Sequence, residues 1–110
     1  EIEIFEIQGP LFFAVISNFI DTIITPKTKK GHANIKILRM RAVQSIDASA
    51  INAIRQIFDF CKKNKITLIL SGVNPQPKFA LQKDGLLNEI GEDKIFQNIE
   101  EALQYAKGLL

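Results

Sequence analysis

The sequence predicts an α/β protein in which a mixed sheet of four or five strands packs against four or five helices. Two hydrophobic patterns alternate along the 110 residues. Short runs dominated by apolar residues, IKILRM at 35–40 and ITLIL at 66–70, are typical of strands covered on both faces. Between them lie longer segments whose apolar residues recur every three or four positions, as on one face of a helix. This alternation favours a parallel or mixed sheet with right-handed helical crossovers.

The first third of the chain predicts two strands, a helix and an exposed loop. Residues 2–8 alternate apolar and polar side chains, which indicates a half-buried strand at or near a sheet edge. Gly9-Pro10 predicts a turn, and residues 11–13 predict a short strand antiparallel to the first. Residues 14–25 predict a helix that ends before Pro26, followed by a polar loop up to residue 34.

The segment 35–54 predicts a strand, a short turn and a helix in direct succession. The turn, residues 45–49, places Asp47 and Ser49 at the helix N-terminus, where four backbone N–H groups lack intrahelical acceptors. The helix extends to about Lys63 and presents one apolar face, made of Ile51, Ile54, Ile57, Phe58 and Cys61. The position of Cys61 on that face predicts a buried, unreactive thiol.

The rest of the chain predicts further strands and helices with recognisable ends. After the strand at 66–70, Pro75 or Pro77 opens a helix, and Gly85 caps or interrupts it. Residues 95–96 predict a very short strand. The last helix follows a capping box, in which Asn98 is the cap and Glu101 reaches back to it.

Two arginines, Arg39 and Arg41, are unexpected in a buried strand. Either they extend to solvent from the strand end, or they pair with carboxylates such as Glu3, Glu6 or Asp47.

Composition limits the classes of function. Hydrophobic residues make up 46% and charged residues 24%, as in an ordinary globular domain, and the formal net charge is +2. No basic stripe interleaves with aromatic residues, so we expect no nucleic-acid partner. One cysteine excludes an intrachain disulfide, and no apolar run approaches the roughly 20 residues of a transmembrane helix. Because the chain begins at Glu1 without an initiator Met, we expect residues 1–110 to be a single domain excised from a longer protein.

The predicted functional surface lies beyond the carboxyl ends of the strands, where the loops 44–49 and 71–76 should meet. We expect a partner or ligand face there, made of Ile46, Asp47, Ala48, Ser49, Ser71, Gly72, Val73 and Asn74. Asp47 and Ser49 have two interpretations, helix capping and, for Ser49, phosphorylation. The helix N-terminus would stabilise an added phosphate, whereas Asp47 would oppose it.

The sequence predicts neither catalysis nor a metal site. His32, the sole histidine, stands in a lysine-rich loop without a nearby cysteine or carboxylate, so it is expected to be a solvated side chain. No Ser/His/Asp set can be assembled, and a small α/β enzyme is the least favoured class. No cofactor is predicted. The helix N-termini at 48–50 and 75–77 give only a weak signal for nucleotide phosphate, because no glycine-rich phosphate loop accompanies them.

Three stretches together resemble the STAS domain family. LRMRAVQSIDASAINAI at 38–54 is similar to its central segment, an apolar strand with Arg-x-Arg and then Ile-Asp-x-Ser/Thr-Gly opening a helix, although Ala50 replaces the glycine. EIFEIQGPLFFA at 3–14 and SGVNPQPKFALQKDGLLNEIG at 71–91 match in the same order. The resemblance covers nearly the whole chain and is greatest to the domains at the C-terminal end of bacterial SulP-type anion transporters.

The resemblance implies a non-catalytic regulatory or docking domain of a sulfate-type anion permease, on the cytoplasmic face of the bacterial inner membrane. Its partners would be the transmembrane part of the same protein, a cytoplasmic regulatory protein, and a second copy through the full-length protein. The alternative is a free-standing antagonist of an anti-sigma factor. In those proteins the residue at the position of Ser49 is the phosphoacceptor, and some family members have been assigned nucleotide binding.

Overall fold

The fold is α/β, as predicted, and its sheet is built from four described strands. The computed structural model describes residues 2–8 and 35–110. The strands lie in chain order and pair in parallel: β1 (Ile2–Gln8), β2 (Ile35–Ala42), β3 (Thr67–Ser71) and β4 (Ile95–Phe96). The helices are α1 (Ala48–Lys63), α2 (Pro75–Asp84), α3 (Leu86–Ile90) and α4 (Ile99–Leu109), with one 3₁₀ turn at Glu92–Lys94.

Several predictions fall outside the described residues. They are the turn at Gly9-Pro10, the antiparallel strand at 11–13, the helix at 14–25 and the loop that contains His32.

Strand β2 lies between two apolar layers. Its side chains alternate, so that Leu38 and Met40 belong to the larger layer with α1, α2 and α3, together with Leu68 and Leu70 of β3. Ile35 and Ile37 point the other way, where Ile69 joins them against Ala102 and Ala106 of α4. The small side chains of the two alanines allow α4 to approach the sheet closely.

Helix α1 has the boundaries that the sequence predicts, and its buried face is the predicted one except that Ile51 is only partly buried and Ala50 and Ala53 join it. The Asp47 side chain accepts a hydrogen bond of 2.9 Å from the backbone N–H of Ala50, which identifies Asp47 as the N-cap. The buried residues include Ile54, Ile57 and Cys61. Burial raises the pKa of the Cys61 thiol to about 11, against a smaller opposite effect of the Lys36 charge. The thiol is therefore neutral and enclosed at physiological pH, as predicted.

The remaining helices begin and end at residues that the sequence singles out. Asn74 precedes α2, Pro75 is its first residue, and Gly85 ends it with a left-handed φ of 95°. Asn98 caps α4 by accepting a 2.8 Å hydrogen bond from the N–H of Glu101. The reciprocal bond of the predicted capping box, from the Asn98 N–H to the Glu101 carboxylate, is absent among the described residues.

Carboxylates of β1 neutralise the cationic side chains of β2. Glu6 pairs with Arg41 at 3.1 Å and with Arg39 at 3.8 Å, so the predicted pairing of the two arginines is confirmed for one of the three proposed carboxylates. At the start of the strand, Lys36 is only 5% exposed, pairs with Glu3 and lies 5.4 Å from the centre of the Phe5 ring. The buried lysine was not anticipated from the sequence.

We predict that Ile54→Asp unfolds the domain. Ile54 is fully buried among the larger apolar layer, and an unpaired carboxylate there would destabilise the fold by about 4 kcal/mol or more. The measurement is thermal unfolding followed by circular dichroism. The matched control is Asn52→Asp, an exposed position on the same helix that should melt like the parent chain. A normal melting curve for Ile54→Asp would mean that the assigned core face of α1 is incorrect.

We also predict that Asp47→Ala lowers the free energy of unfolding by about 1 kcal/mol, because the Ala50 N–H loses its acceptor. Urea denaturation would measure the change. Asp47→Asn retains a capping oxygen and should remain close to the parent value, whereas equal losses in both variants would point to charge rather than capping.

Candidate functional site: the carboxyl edge of the sheet

The carboxyl ends of β2 and β3 bring two loops to one edge of the sheet. In the parallel register, Arg39 lies opposite Ser71. The chain that leaves β2 then runs to the start of α1, and the chain that leaves β3 runs to the start of α2. The two loops that the sequence predicts to meet therefore do so.

Two side-chain amides tie these loops together. Gln76 accepts a 2.8 Å hydrogen bond from the Ile46 N–H and donates one of 3.3 Å to the Ile46 carbonyl. Asn74 donates to the carbonyls of Val43, at 2.7 Å, and of Arg41, at 3.1 Å. Four backbone groups, one at the end of β2 and three in the loop after it, are thus bonded by Asn74 and Gln76, which fixes the position of the α1 N-terminus. Nothing in the local sequence around either amide indicates its distant partner.

The predicted partner face divides into exposed and buried parts. Asp47, Ala48 and Ser49 are exposed, and Gly72, Val73 and Asn74 are partly exposed. Ile46 is 7% exposed and Ser71 is 0% exposed, so their side chains offer no contact area to a macromolecule.

Ser49 is available for modification or contact. It is the second residue of α1, its side chain is exposed, and its hydroxyl has no hydrogen bond to any residue that the structure describes. Asp47 is therefore the residue that caps α1, and Ser49 takes no part in capping. No acidic side chain lies within the first turn of α1, so the carboxylate of Asp47 is the local negative charge.

A groove runs along α1 beside Ser49. It has a volume of about 430 Å³ and is lined by Ala48, Ser49, Ile51, Asn52, Arg55 and Asp84. Arg55, which the sequence analysis missed, donates to Asp84 at 2.6 Å and to both oxygens of Glu89 at 3.0 Å. These hydrogen bonds raise the pKa of Arg55 above its ordinary value. Because its charge is already paired, the groove has little attraction for a phosphate.

The two helix N-termini proposed for nucleotide phosphate are also poor sites. At α1 the Asp47 carboxylate already accepts from one N–H and adds a negative charge. At α2 two of the first three residues are Pro75 and Pro77, which have no N–H to donate. Within residues 2–8 and 35–110, no three His, Cys, Asp or Glu side chains are placed to hold a metal ion.

A second cavity lies on the opposite face of the same edge, under the start of α4. It has a volume of about 180 Å³ and is lined by Arg39, Arg41, Ser71, Gly72, Gln97, Asn98, Ile99 and Glu100. The two arginines are conspicuous in the sequence, and Ser71 is predicted on the partner face. Sequence alone does not bring Ser71 and the arginines together, because the side of the sheet that Ser71 faces follows from the strand register.

Comparisons with known proteins agree with this architecture. The family model of the STAS domain matches residues 1–102. A putative sulfate transporter of Bacillus subtilis, YvdB, is 31% identical over 91% of this chain, and the chain spans only 18% of that protein's length.

Two solved structures are similar over 98% of the chain. One is a sulfate transporter family protein from Wolinella succinogenes, with a TM-score of 0.88, 36% identity and 86% of that chain covered. The other is the STAS domain of a SulP transporter from Vibrio cholerae, with a TM-score of 0.87, 26% identity and 82% of that chain covered. In the part of the chain that the structure describes, no helix has the length and apolar character to cross a membrane. By sequence and by fold, the chain therefore belongs to the STAS domain family.

Proposed function

We propose that the chain is the regulatory and docking domain of a sulfate-type anion permease, on the cytoplasmic face of the bacterial inner membrane. The observation that carries this proposal is the similarity of almost the whole chain to a short part of much longer sulfate transporters. In such a protein the membrane part would perform transport, and this domain would support its activity or assembly. The transmembrane part of the same protein would be its first partner, and a cytoplasmic regulatory protein or a second full-length copy would be others.

We place the proposed docking face at the start of α1, where hydrogen bonds from the neighbouring loop hold the backbone. Residues 47–49 are exposed, and the amide contacts of Asn74 and Gln76 hold the turn before them. A face that is fixed before binding loses little conformational entropy when a partner docks. We propose a role by contact and not by catalysis; the single cysteine, Cys61, is a buried neutral thiol and offers no reactive nucleophile.

Phosphorylation of Ser49 is a second candidate function, as in a free-standing antagonist of an anti-sigma factor. It is favoured by one observation: the Ser49 hydroxyl is exposed on the first turn of a helix. A dianion there would gain from the helix dipole and would change the charge of the docking face.

The first test removes the domain from the full-length protein. We predict that deletion of residues 1–110 lowers sulfate uptake at equal membrane abundance, measured with radiolabelled sulfate in cells that lack their own sulfate transporters. Ala48→Arg, on the exposed turn, should lower uptake in the same direction. Gln104→Arg adds the same charge at an exposed position of α4 and serves as its control. Uptake unchanged by the deletion, or a gene without membrane-spanning segments, would contradict the proposal.

The second test concerns Ser49 itself. We predict that Ser49→Asp retains the circular dichroism spectrum of the parent chain, because the side chain is exposed, and alters the set of proteins that co-purify with the full-length protein. Gln104→Glu makes the same change of charge on α4 and should leave that set unchanged. Peptide mapping by mass spectrometry of the protein from its native host would show whether Ser49 carries phosphate. Unfolding of Ser49→Asp would mean that Ser49 supports the fold.

A further inference from the structure

The cavity under α4 gathers hydrogen-bond donors from three elements. Arg39 and Arg41 come from the end of β2, Ser71 from the end of β3, and the backbone of Ile99 and Glu100 from the start of α4. Close packing shapes its floor. Gly72 has a φ of +67°, and a Cβ placed on it would lie 3.0 Å from the Cβ of Arg41. Its N–H donates to the Phe96 carbonyl at 2.8 Å, which holds the two loops together below α4.

The two arginines retain unused donors. A guanidinium group has five N–H bonds. Arg41 uses Nε and Nη2 toward Glu6, at 3.1 and 3.4 Å. Arg39 has a 3.8 Å ion contact with the same carboxylate and makes no hydrogen bond to any other described residue. One carboxylate therefore faces two cations, and most of their N–H groups remain free.

The Ser71 hydroxyl is buried without a hydrogen-bond partner among the described residues. The residue is 0% exposed, and the β3 alternation directs its side chain to the α4 side, beside that of Arg39. Leaving a buried hydroxyl unbonded is unfavourable, and because Ser71 lines the cavity, rotation of its side chain toward an acceptor held there would remove that cost.

Unlike the start of α1, which is capped by a carboxylate, the start of α4 combines free backbone donors with an uncharged cap. Its cap, Asn98, is neutral and accepts only from the N–H of Glu101. Ile99 and Glu100 are the first two residues of α4, and their N–H groups have no acceptor in residues 2–8 or 35–110. They face the same end of the sheet as the arginines, where the positive end of the helix dipole attracts anions.

We propose that this cavity binds a small tetrahedral oxyanion of the inorganic sulfate class. Guanidinium, hydroxyl and backbone N–H groups are all donors, and an anion with four oxygens can accept from several of them at once. The volume of about 180 Å³ is below the roughly 300 Å³ at which pockets for drug-sized ligands begin, so the cavity suits an inorganic ion better than a nucleotide. The carboxylates of Glu6, Glu100 and Glu101 oppose an anion, so we expect the affinity to be moderate and dependent on Glu100, which lines the cavity.

The test is a titration of the ¹⁵N-labelled 110-residue chain with sodium sulfate at constant ionic strength, with chloride as the balancing ion. One solved relative is the STAS domain of a SulP transporter, and this chain covers 82% of it. We expect saturable shifts of the amide signals of Ser71, Gly72, Ile99 and Glu100, and no shifts for residues 48–50. A parallel titration with inorganic phosphate distinguishes the two tetrahedral anions. Saturation with either supports the site, and the tighter ligand identifies its preference.

Three variants make the assignment specific. Ser71→Ala removes only the hydroxyl and should weaken binding about fivefold, and Arg39→Gln should weaken it about tenfold through loss of charge-assisted bonds. Glu100→Gln should strengthen binding about twofold, because an exposed like charge is removed. Ser49→Ala, on the other face, is the control with unchanged affinity. Because Arg39 is half-buried, the spectrum of Arg39→Gln must show the same signal dispersion as the parent chain, which would mean that the variant is folded. If it does not, the binding result for Ser71→Ala decides whether the site exists.

The proposal is overturned if neither anion gives saturable shifts, or if Ser71→Ala and Arg39→Gln both bind like the parent chain. Linear, unsaturated shifts scattered over the surface would also overturn it, since they would indicate a general salt effect. Because the titration measures anion binding and not transport, a negative result would leave the proposed regulatory function untouched.

Discussion

The burial of β2 between two apolar layers is the constraint on which the remaining structure depends. Because both faces of its middle are covered, charged side chains are tolerated only toward its ends. Lys36 stands near the start, and Arg39 and Arg41 stand near the end. Each end faces a carboxylate of β1, Glu3 for the lysine and Glu6 for the arginines. Strand β1 therefore contributes apolar contacts to β2 and also the carboxylates that neutralise its charged ends. The charged ends can then coexist with a middle that is buried from water.

The parallel pairing of β2 and β3 explains why one edge of the sheet carries two separate candidate sites. Parallel strands end together, so their loops meet at the same edge of the sheet. The sheet also separates the side chains of successive residues, because they project alternately from its two faces. On one side, the start of α1 exposes Asp47 and Ser49, and on the other, Arg39 and Ser71 line a small cavity below α4. Contact with a partner and binding of an ion can therefore occupy different faces without competing for residues.

Local patterns in the sequence predicted the elements well, and long-range contacts mark the limit of that prediction. The apolar period of α1, its cap Asp47 and the terminator Gly85 are decided within a few residues, so they can be identified without a structure. The bonds of Gln76 to Ile46, 30 positions away, depend on the register of two strands. The same holds for Arg55 with Asp84, 29 positions away, and for the side of the sheet that Ser71 faces. The general position of the site was predictable, whereas its division into two faces required the pairing of the strands.

The loop after β3 belongs to both faces, and this determines how substitutions at the edge can be interpreted. Ser71 and Gly72 line the cavity below α4, whereas Asn74, only two residues further on, holds the carbonyl of Val43 in the turn before α1. A change in this loop would disturb both faces together, because its residues share one short, tightly bonded segment. Ser49 and Arg39 lie on separate elements and on opposite sides of the sheet. Substitutions at those two positions can therefore separate partner contact from ion binding, which no substitution between Gly72 and Asn74 can do.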